Sequence, residues 1–254
     1  MKTVLTIASN TFKETVRNKV LYNILLVAGA ALFLSMSFGD LSVFSRTQVM
    51  TDFGLATMSL TGLLLAVFIG AGMLGSEIST KTVYGILTKP VSREQFIFGK
   101  FFGLVSTLLL NFALISLVFF IAITLMGADV KISIMDAVVL LAVEMSVIVS
   151  AAIFFSSFTT PTLAAIFTIG FYISGHLNDL VDIGTKQQES VIWQTVLKFF
   201  YFLLPNLEHF NIRSRVVYDL PVPPDFVTGV FCYGVLYTIL LLLLSSMVFS
   251  RKDL

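Results

Sequence analysis

Apolar runs long enough to cross a lipid bilayer recur along this chain. No charged residue interrupts positions 101 to 126, and a helix needs about 20 apolar residues to cross the hydrocarbon. Only 12% of the 254 residues are charged, about half the fraction found in soluble domains. The sequence therefore predicts an all-α membrane protein, a single transmembrane domain over residues 1–254, with six transmembrane helices at 20–38, 54–75, 97–126, 134–156, 161–177 and 226–250.

Lysine and arginine fall mostly on one side of this predicted arrangement. The short outer loops hold only Arg46 and Lys131, whereas the other side holds Lys2, Lys13, Arg17, Lys19, Lys81, Lys89, Arg93, Lys100, Arg251 and Lys252. Short loops rich in lysine and arginine stay in the cytoplasm. The sequence thus predicts a multi-pass protein of the cytoplasmic (inner) membrane, in contact with lipid, with both termini in the cytoplasm.

Two further segments are predicted to be helical without crossing the membrane. Residues 1–18 place apolar side chains at helical spacing (Leu5, Ala8, Phe12 and Val16), which is typical of a helix lying in the cytoplasmic interface. The outer connection, 178–225, contains the stretch VIWQTVLKFFYFLLP, which is too apolar for a solvated loop. A seventh span would place the C-terminus outside, so a re-entrant or interfacial helix is predicted between the fifth and sixth spans.

The cytoplasmic segment 77–96, EISTKTVYGILTKPVSREQF, is compact and basic. Pro90 ends a first short helix, because the residue before proline avoids the helical region. Ser92 and Gln95 have the spacing of a capping box that starts the next helix. Two interpretations remain open. The segment is either a loop that only anchors the topology, or a docking element that inserts Tyr84, Ile86 and Leu87 into a groove on a cytoplasmic partner.

Short motifs along the whole chain carry a family resemblance. In and after the cytoplasmic segment they are Glu77, Thr82, Ile86–Leu87, Pro90-Val91-Ser92-Arg93 and Lys100. Phe12-Lys13-Glu14 with Arg17-Asn18-Lys19 precede the first span, and Pro205-Asn206-Leu207-Glu208 with Phe210-Asn211 precede the last. Together they resemble the permease subunits of type 2 ABC transporters, more narrowly the branch that includes the nitrous-oxide-reductase maturation permease. Lys81 stands where that family usually has a glycine.

The resemblance implies that the chain is the permease subunit of an ATP-driven transporter for an unidentified substrate. The chain lacks the G-x-x-x-x-G-K-[ST] motif that cradles nucleotide phosphates, so we expect no enzyme activity and no cofactor here. ATP and magnesium would bind a separate ATPase chain, and a second permease chain would complete the dimer. Nucleic acid is not an expected partner. The resemblance also implies that the cytoplasmic segment 77–96 forms a coupling helix that docks the ATPase. Its expected docking residues are Glu77, Thr82, Tyr84, Ile86, Leu87 and Arg93.

Two polar residues inside predicted spans, Glu144 and Asn111, are candidate cavity residues. Glu144 is near the middle of the fourth span, where a charge costs about 2.5–3.5 kcal/mol, so it should face protein or water. It either contacts a substrate or a coupled proton in a cavity, or joins helices by hydrogen bonds. No lysine or arginine at that depth offers itself as a partner. Asn111 allows the same two interpretations, and Gly99 with Gly103 predicts close helix packing.

The outer end of the predicted bundle carries a second polar group. Its possible contact residues are His176, Asp179, Glu208, Arg213 and Arg215. A metal site is conceivable, but no third ligand lies near His176 and Asp179 in sequence. The methionines, histidines and single cysteine form no array suited to a soft metal. Interfacial hydrogen bonding is the favoured interpretation, and no metal site is predicted.

Two alternatives to a permease remain open at this stage. The first is a non-transporting subunit of the same architecture, which transmits ATPase motion to an outer-face partner such as a maturation factor. Its contact would be the outer stretch NLEHFNIRSRVVYDLPVPP. The second, more remote, is an intramembrane enzyme, but H-E-x-x-H, G-x-S-x-G and paired intramembrane aspartates are all missing from the sequence.

Overall fold

A computed structural model of the chain describes residues 2–41, 46–72, 92–125, 132–177, 194–195 and 204–251. Every regular element within these residues is helical, which confirms the all-α fold class. A π-helical turn, Ala66–Ala71, extends α3, and a 3-10 turn, Leu207–Phe210, precedes α7. The α-helices are α1 (Lys2–Val16), α2 (Lys19–Leu41), α3 (Arg46–Leu65), α4 (Arg93–Leu125), α5 (Ile132–Ser156), α6 (Pro161–His176), α7 (Arg213–Val217) and α8 (Pro224–Ser250).

Four helical stretches are long and apolar enough to cross a bilayer: Thr47–Ala71, Arg93–Thr124, Ile132–Ser156 and Pro224–Ser250. A fifth candidate is α1 together with α2, which meet at an angle of 60°. Helix α6 has only 16 residues, about 24 Å at 1.5 Å per residue, against a hydrocarbon thickness of about 30 Å. The structure thus supports four or five of the six predicted spans, and the count of six stays a prediction.

The start of α4 follows the predicted capping box. The Gln95 backbone N–H donates to Ser92 Oγ at 3.2 Å, and the Ser92 backbone N–H donates to Gln95 Oε1 at 3.4 Å. These two bonds satisfy donors that a helix N-terminus otherwise leaves unpaired. The helix therefore begins at Arg93, four residues before the predicted span, because hydropathy marks where the hydrocarbon begins and not where the helix does. The rest of the predicted coupling segment, 77–91, lies outside the described residues.

Helix α1 packs closely along the first turns of α4. A Cβ atom added to Gly99 would lie 2.7 Å from Ile7 Cβ, and one added to Gly103 would lie 2.6 Å from Thr11 Cβ. This confirms the predicted small-residue packing at both glycines. Leu5, on the predicted apolar face, is 65% exposed, while Thr11 is buried against α4. The glycine groove admits short side chains, which leaves Leu5 pointing outward. The interfacial position of α1 stays a prediction.

Helix α5 lies at the centre of the described bundle. It packs against α3, α4, α6 and α8, and most of its residues from Leu140 to Ser156 are buried. Its C-terminal end, which lies at the predicted cytoplasmic end of the bundle (the inner end below), is tied to the π-helical turn, where Ser156 Oγ donates to the Ala71 carbonyl oxygen at 3.3 Å. A polar side chain in the middle of α5 is therefore enclosed by protein.

The described part of the outer connection, 204–223, folds back onto the membrane helices. Leu207 and Phe210 are fully buried. Leu207 lies over Gly175, where an added Cβ would be 2.5 Å from Leu207 Cγ, and Phe210 lies against Gly234. The stretch NLEHFNIRSRVVYDLPVPP, predicted as an outer-face contact, is therefore only partly exposed: Leu207 and Phe210 are buried because glycines on α6 and α8 open space for them, whereas Tyr218 and Leu220 are exposed. The predicted re-entrant helix falls mostly outside the described residues.

Candidate functional site

A cavity of about 180 Å³ lies between α3, α5, α6 and the outer connection. Its apolar wall includes Leu55, Leu141 and Phe210. Six polar side chains also line it: Ser59, Glu144, Tyr172, His176, Asn211 and Arg213. Three of these, Glu144, His176 and Arg213, were singled out from the sequence, although only Glu144 was expected to face a cavity.

Glu144 and His176 meet on the wall of this cavity. Glu144 Oε1 lies 2.9 Å from His176 Nε2. The sequence suggested a separation, with Glu144 at mid-span and His176 at the outer end of the next span. They meet because Glu144 lies about 18 Å from the end of α5, while the whole of α6 rises only about 24 Å. Glu144, without a lysine or arginine partner, is satisfied instead by a histidine.

Glu208 approaches His176 from the other side of the imidazole ring. Glu208 Oε2 lies 3.0 Å from His176 Nδ1, and Asn211 Nδ2 donates to Glu208 Oε1 at 2.9 Å. The backbone is fixed as well, since Asn206 Oδ1 accepts from the Glu208 N–H at 3.1 Å and caps the 3-10 turn. The carboxylate of Glu208 is therefore held against the ring by its own turn.

The three groups form a chain whose exposure increases outward. The Glu144 side chain is 1% exposed, that of His176 22% and that of Glu208 39%. Each ring nitrogen faces a carboxylate oxygen, and every such contact needs one proton to be a hydrogen bond. The group as a whole therefore holds two protons and carries a net charge of −1.

Tyr172 adds a hydroxyl group one helical turn before His176. Its ring packs edge-on against the imidazole, with 4.5 Å between the ring centroids. Its hydroxyl lies 3.3 Å from Ser59 Oγ on α3. This contact joins α3 to α6 on the same cavity wall and limits how far the imidazole can turn.

An ion pair joins the outer connection to α3 beside the cavity. Arg213 Nη2 donates to Asp52 Oδ2 at 2.7 Å, and Arg213 Nε donates to Asp52 Oδ1. The pair is bidentate, the geometry that best matches a guanidinium to a carboxylate. Arg213, predicted as an outer-face contact, is thus engaged within the chain.

The inner end of the bundle has a different polar contact. Arg93 Nη1 donates to the carbonyl oxygens of Phe249 and Ser250, at 2.9 and 2.8 Å. The guanidinium also lies 6.0 Å from the centre of the Phe249 ring. Arg93 therefore binds the last carbonyls of α8, a favourable position for a cation at a helix C-terminus. Its predicted docking role stays a prediction.

The other predicted site residues do not join the cavity. Asn111 is buried and does not line it, and its amide has no hydrogen-bond partner among the described residues. Arg215 lies over the Phe226 ring, 5.3 Å from its centre. Asp179 and the docking residues Glu77, Thr82, Tyr84, Ile86 and Leu87 lie outside the described residues. Within the described ranges, no group of three His, Cys, Asp or Glu residues is arranged to hold a metal ion.

Several residues of the site were missed from the sequence. Asp52 was missed because it precedes the onset of the second predicted span. The available signal was that it is an acidic residue on the same predicted side as the arginines of the outer connection. Tyr172 has the i, i+4 spacing that places it beside His176 on one helix face. Asn211 belongs to a recognised motif, though no role was assigned to it. The shortness of α6, together with the position of Glu144 in the middle of α5, was the available indication that Glu144 and His176 are in contact.

Comparison with known proteins gives one assignment. The sequence matches the ABC-2 family transporter protein family over residues 5–254. A search of curated proteins returns no match. The family match covers nearly the whole chain, including every helix described above, whereas the narrower nitrous-oxide-reductase maturation branch stays a prediction. The chain is a member of the ABC-2 transporter family, and its helices form the multi-pass membrane part of that architecture.

Proposed function

We propose that the chain is the permease subunit of an ATP-driven transporter, in which a separate ATPase chain drives movement of a solute across the cytoplasmic membrane. The observation that carries this proposal is the family match over residues 5–254. The sequence also lacks a nucleotide phosphate-binding motif, and in this proposal the motor is a separate chain. In this proposal two permease chains pair, and each docks one ATPase through segment 77–96.

The inner end of the bundle supports a coupling path from that segment. Ser92, within this segment, caps α4, and Arg93 binds the end of α8. The rings of Phe96 and Phe249 stack between the same two helices, with 5.9 Å between their centroids. Any displacement of the segment by an ATPase would therefore move α4 and α8 together.

The cavity supports a path for the solute. Its volume of about 180 Å³ is below the 300–1,000 Å³ typical of small-molecule sites. Phe210 and Ile212 from the outer connection form part of its wall, so the cavity widens when that connection moves away. The arrangement fits the closed stage of an alternating-access cycle, in which ATPase motion opens one side at a time.

The non-transporting alternative is not favoured. Of the outer stretch that it needs as a contact, Leu207, Phe210 and Val216 are buried against the bundle, which leaves Tyr218 and Leu220 as the exposed large apolar side chains.

Docking is tested by pull-down of an ABC ATPase from the same genome with the permease variants Glu77→Ala and Tyr84→Ala. Loss of an aromatic anchor at the centre of an interface costs about 2 kcal/mol or more, which is about 30-fold in affinity. We expect both variants to lose ATPase binding and permease-stimulated ATP hydrolysis. Unchanged binding and hydrolysis in both variants would contradict the docking role.

Matched controls are available within the chain. Glu14→Ala removes an exposed carboxylate on α1, on the same predicted side of the membrane as Glu77. Tyr218→Ala removes an aromatic side chain that is 66% exposed on the predicted outer side. Both control variants should bind the ATPase as the unmodified chain does.

A further inference from the structure

The contacts of His176 connect an enclosed carboxyl group to the protein surface. Glu144 is buried in the middle of α5, while Glu208 lies in the outer connection and is partly exposed. His176 separates them and uses a different ring nitrogen for each, at 2.9 and 3.0 Å. A junction that only held α5 to α6 would need the first contact alone. The second contact completes a hydrogen-bonded path from the bundle interior to the surface.

Two proton arrangements satisfy both contacts with a neutral imidazole. In the first, Glu144 is a carboxylic acid that donates to Nε2, and Nδ1–H donates to the Glu208 carboxylate. In the second, Nε2–H donates to the Glu144 carboxylate, and Glu208 is the acid that donates to Nδ1. The first is favoured at rest, because a charge costs less on the partly exposed Glu208 than on the enclosed Glu144.

We propose that Glu144, His176 and Glu208 form a proton relay that loads and unloads the buried Glu144 through the predicted outer face. Unloading breaks the O–H bond of Glu144 and forms N–H at Nε2, while the N–H bond at Nδ1 breaks and forms O–H at Glu208. Glu208 then releases the proton to water. One proton leaves, so the net charge of the group changes from −1 to −2 with Glu144 and Glu208 both ionised, and the imidazole ends neutral in its other tautomer.

The surroundings of His176 keep the path in one geometry. Among the described residues, the titratable or charged groups around it are Glu144 from α5, Glu208 from the 3-10 turn and Tyr172 from its own helix. Arg213 from α7 lines the same cavity and is neutralised by Asp52 of α3. Asn211 holds the second oxygen of Glu208, which leaves the first oxygen for Nδ1.

The relay is tested by hydrogen–deuterium exchange of the Glu144 carboxylic acid. Infrared difference spectra of the purified full chain, in a detergent without ester carbonyls, identify its C=O stretching band by the loss of that band in E144Q. After transfer to D₂O, the band should shift rapidly in the unmodified chain. In H176Q and E208Q we expect the shift to slow about 10²-fold, the factor that a positioned proton-transfer group typically contributes.

The controls separate loss of the relay from loss of the fold. E208Q changes a partly exposed residue and keeps a hydrogen-bonding side chain of the same length, so the variant should retain its helical circular dichroism. H209Q replaces the second of the two histidines, which lies outside the relay, and should leave the exchange rate unchanged. An exchange rate equal to that of the unmodified chain in both H176Q and E208Q would overturn the proposal. Lack of a Glu144 acid band at every pH would overturn it as well.

A second measurement reports on the imidazole itself. In ¹⁵N-histidine-labelled protein carrying H209Q, all histidine signals come from His176. The relay predicts that E208Q perturbs mainly the Nδ1 signal and E144Q mainly the Nε2 signal. Nitrogen signals unchanged in E208Q would contradict the outer half of the path. Both measurements use the permease alone, so their outcome is independent of whether the ATPase-docking proposal holds.

Discussion

The inner and outer halves of the bundle are held together by different kinds of polar contact. At the inner end, Arg93 donates to the backbone carbonyls of Phe249 and Ser250, which the fold of α8 fixes in place. In the outer half, side chains contact side chains, in Glu144–His176–Glu208 and in Arg213–Asp52. A guanidinium bound to backbone carbonyls stays bound wherever the protons of nearby side chains lie, whereas the contacts of Glu144, His176 and Glu208 depend on the position of their protons. The contact of Arg93 with α8 therefore suits the transmission of motion from the cytoplasmic segment. The side-chain contacts of the outer half suit an opening of the cavity.

The largest effect in this comparison is expected for His176→Ala. The change leaves the Glu144 carboxylic acid buried without its hydrogen-bond partner, which costs up to about 3 kcal/mol. We expect the free energy of unfolding to fall by that amount in chemical unfolding followed by circular dichroism. His209→Ala, at an exposed site, should change it by less than about 0.5 kcal/mol.

The double variant Glu144→Met with His176→Leu separates the burial of charge from packing. When both polar partners are replaced by apolar groups of similar volume, the change is often close to neutral. The double variant should therefore be more stable than His176→Ala alone. If it is less stable, the packing of the side chains, and not the contact between Glu144 and His176, holds α5 to α6.

Gly103→Ala is expected to give the next largest effect, at the inner end. The new Cβ would lie 2.6 Å from Thr11 Cβ and 2.7 Å from the Ala8 carbonyl oxygen. Because one of these is a backbone atom, α1 must move away from α4, which costs about 1–3 kcal/mol as overpacking. Unfolding measurements should show this loss.

Gly170→Ala is the matched control, since an added Cβ there meets no atom within 4 Å. Alanine is favoured over glycine in a helix, so this variant should be neutral or slightly more stable. Equal losses in the two variants would mean that the close approach of α1 to α4 is not what makes Gly103 necessary.

Local features of this fold were predictable from the sequence, and contacts between distant segments were not. The capping box at Ser92 and Gln95 depends on a three-residue spacing, and the packing at Gly99 and Gly103 on a four-residue one. The capping box was read correctly because no distant residue decides it. The glycine spacing indicated a close helix contact, but not that α1 is the helix that packs there. The apolar runs likewise indicated the long helices, although the short α6 left the number of spans at four or five.

The candidate site shows the limit of such reasoning. Glu144, His176, Glu208 and Arg213 each stood out as polar residues in an apolar chain. Their contacts depend on the length of α6 and on the return of the outer connection onto the bundle, neither of which is a local property. The Arg213 partner, Asp52, was missed because it lies just before the onset of the hydrophobic run.

Arg93→Ala is expected to weaken the inner contact by about 1.5 kcal/mol, the low end for hydrogen bonds from a charged donor. The larger consequence is functional under the proposed coupling path. ATPase chains should still bind, while permease-stimulated ATP hydrolysis or transport falls, because α8 no longer follows α4. Arg251→Ala, at the end of the same helix, is the control. Loss of ATPase binding itself in Arg93→Ala would instead assign Arg93 to the docking surface.

Arg213→Lys is the smallest of these changes and tests the outer ion pair. Lysine keeps the charge but cannot reproduce the bidentate contact with Asp52. Exposed ion pairs contribute about 0.2–1 kcal/mol, so we expect a loss of about 0.5 kcal/mol at low salt. Screening weakens the original pair as well, and the difference should therefore shrink at about 1 M salt. Arg215→Lys, whose guanidinium lies over Phe226, should show a weaker salt dependence. If the two variants respond to salt alike, the contact between Arg213 and Asp52 does not hold the outer connection to α3.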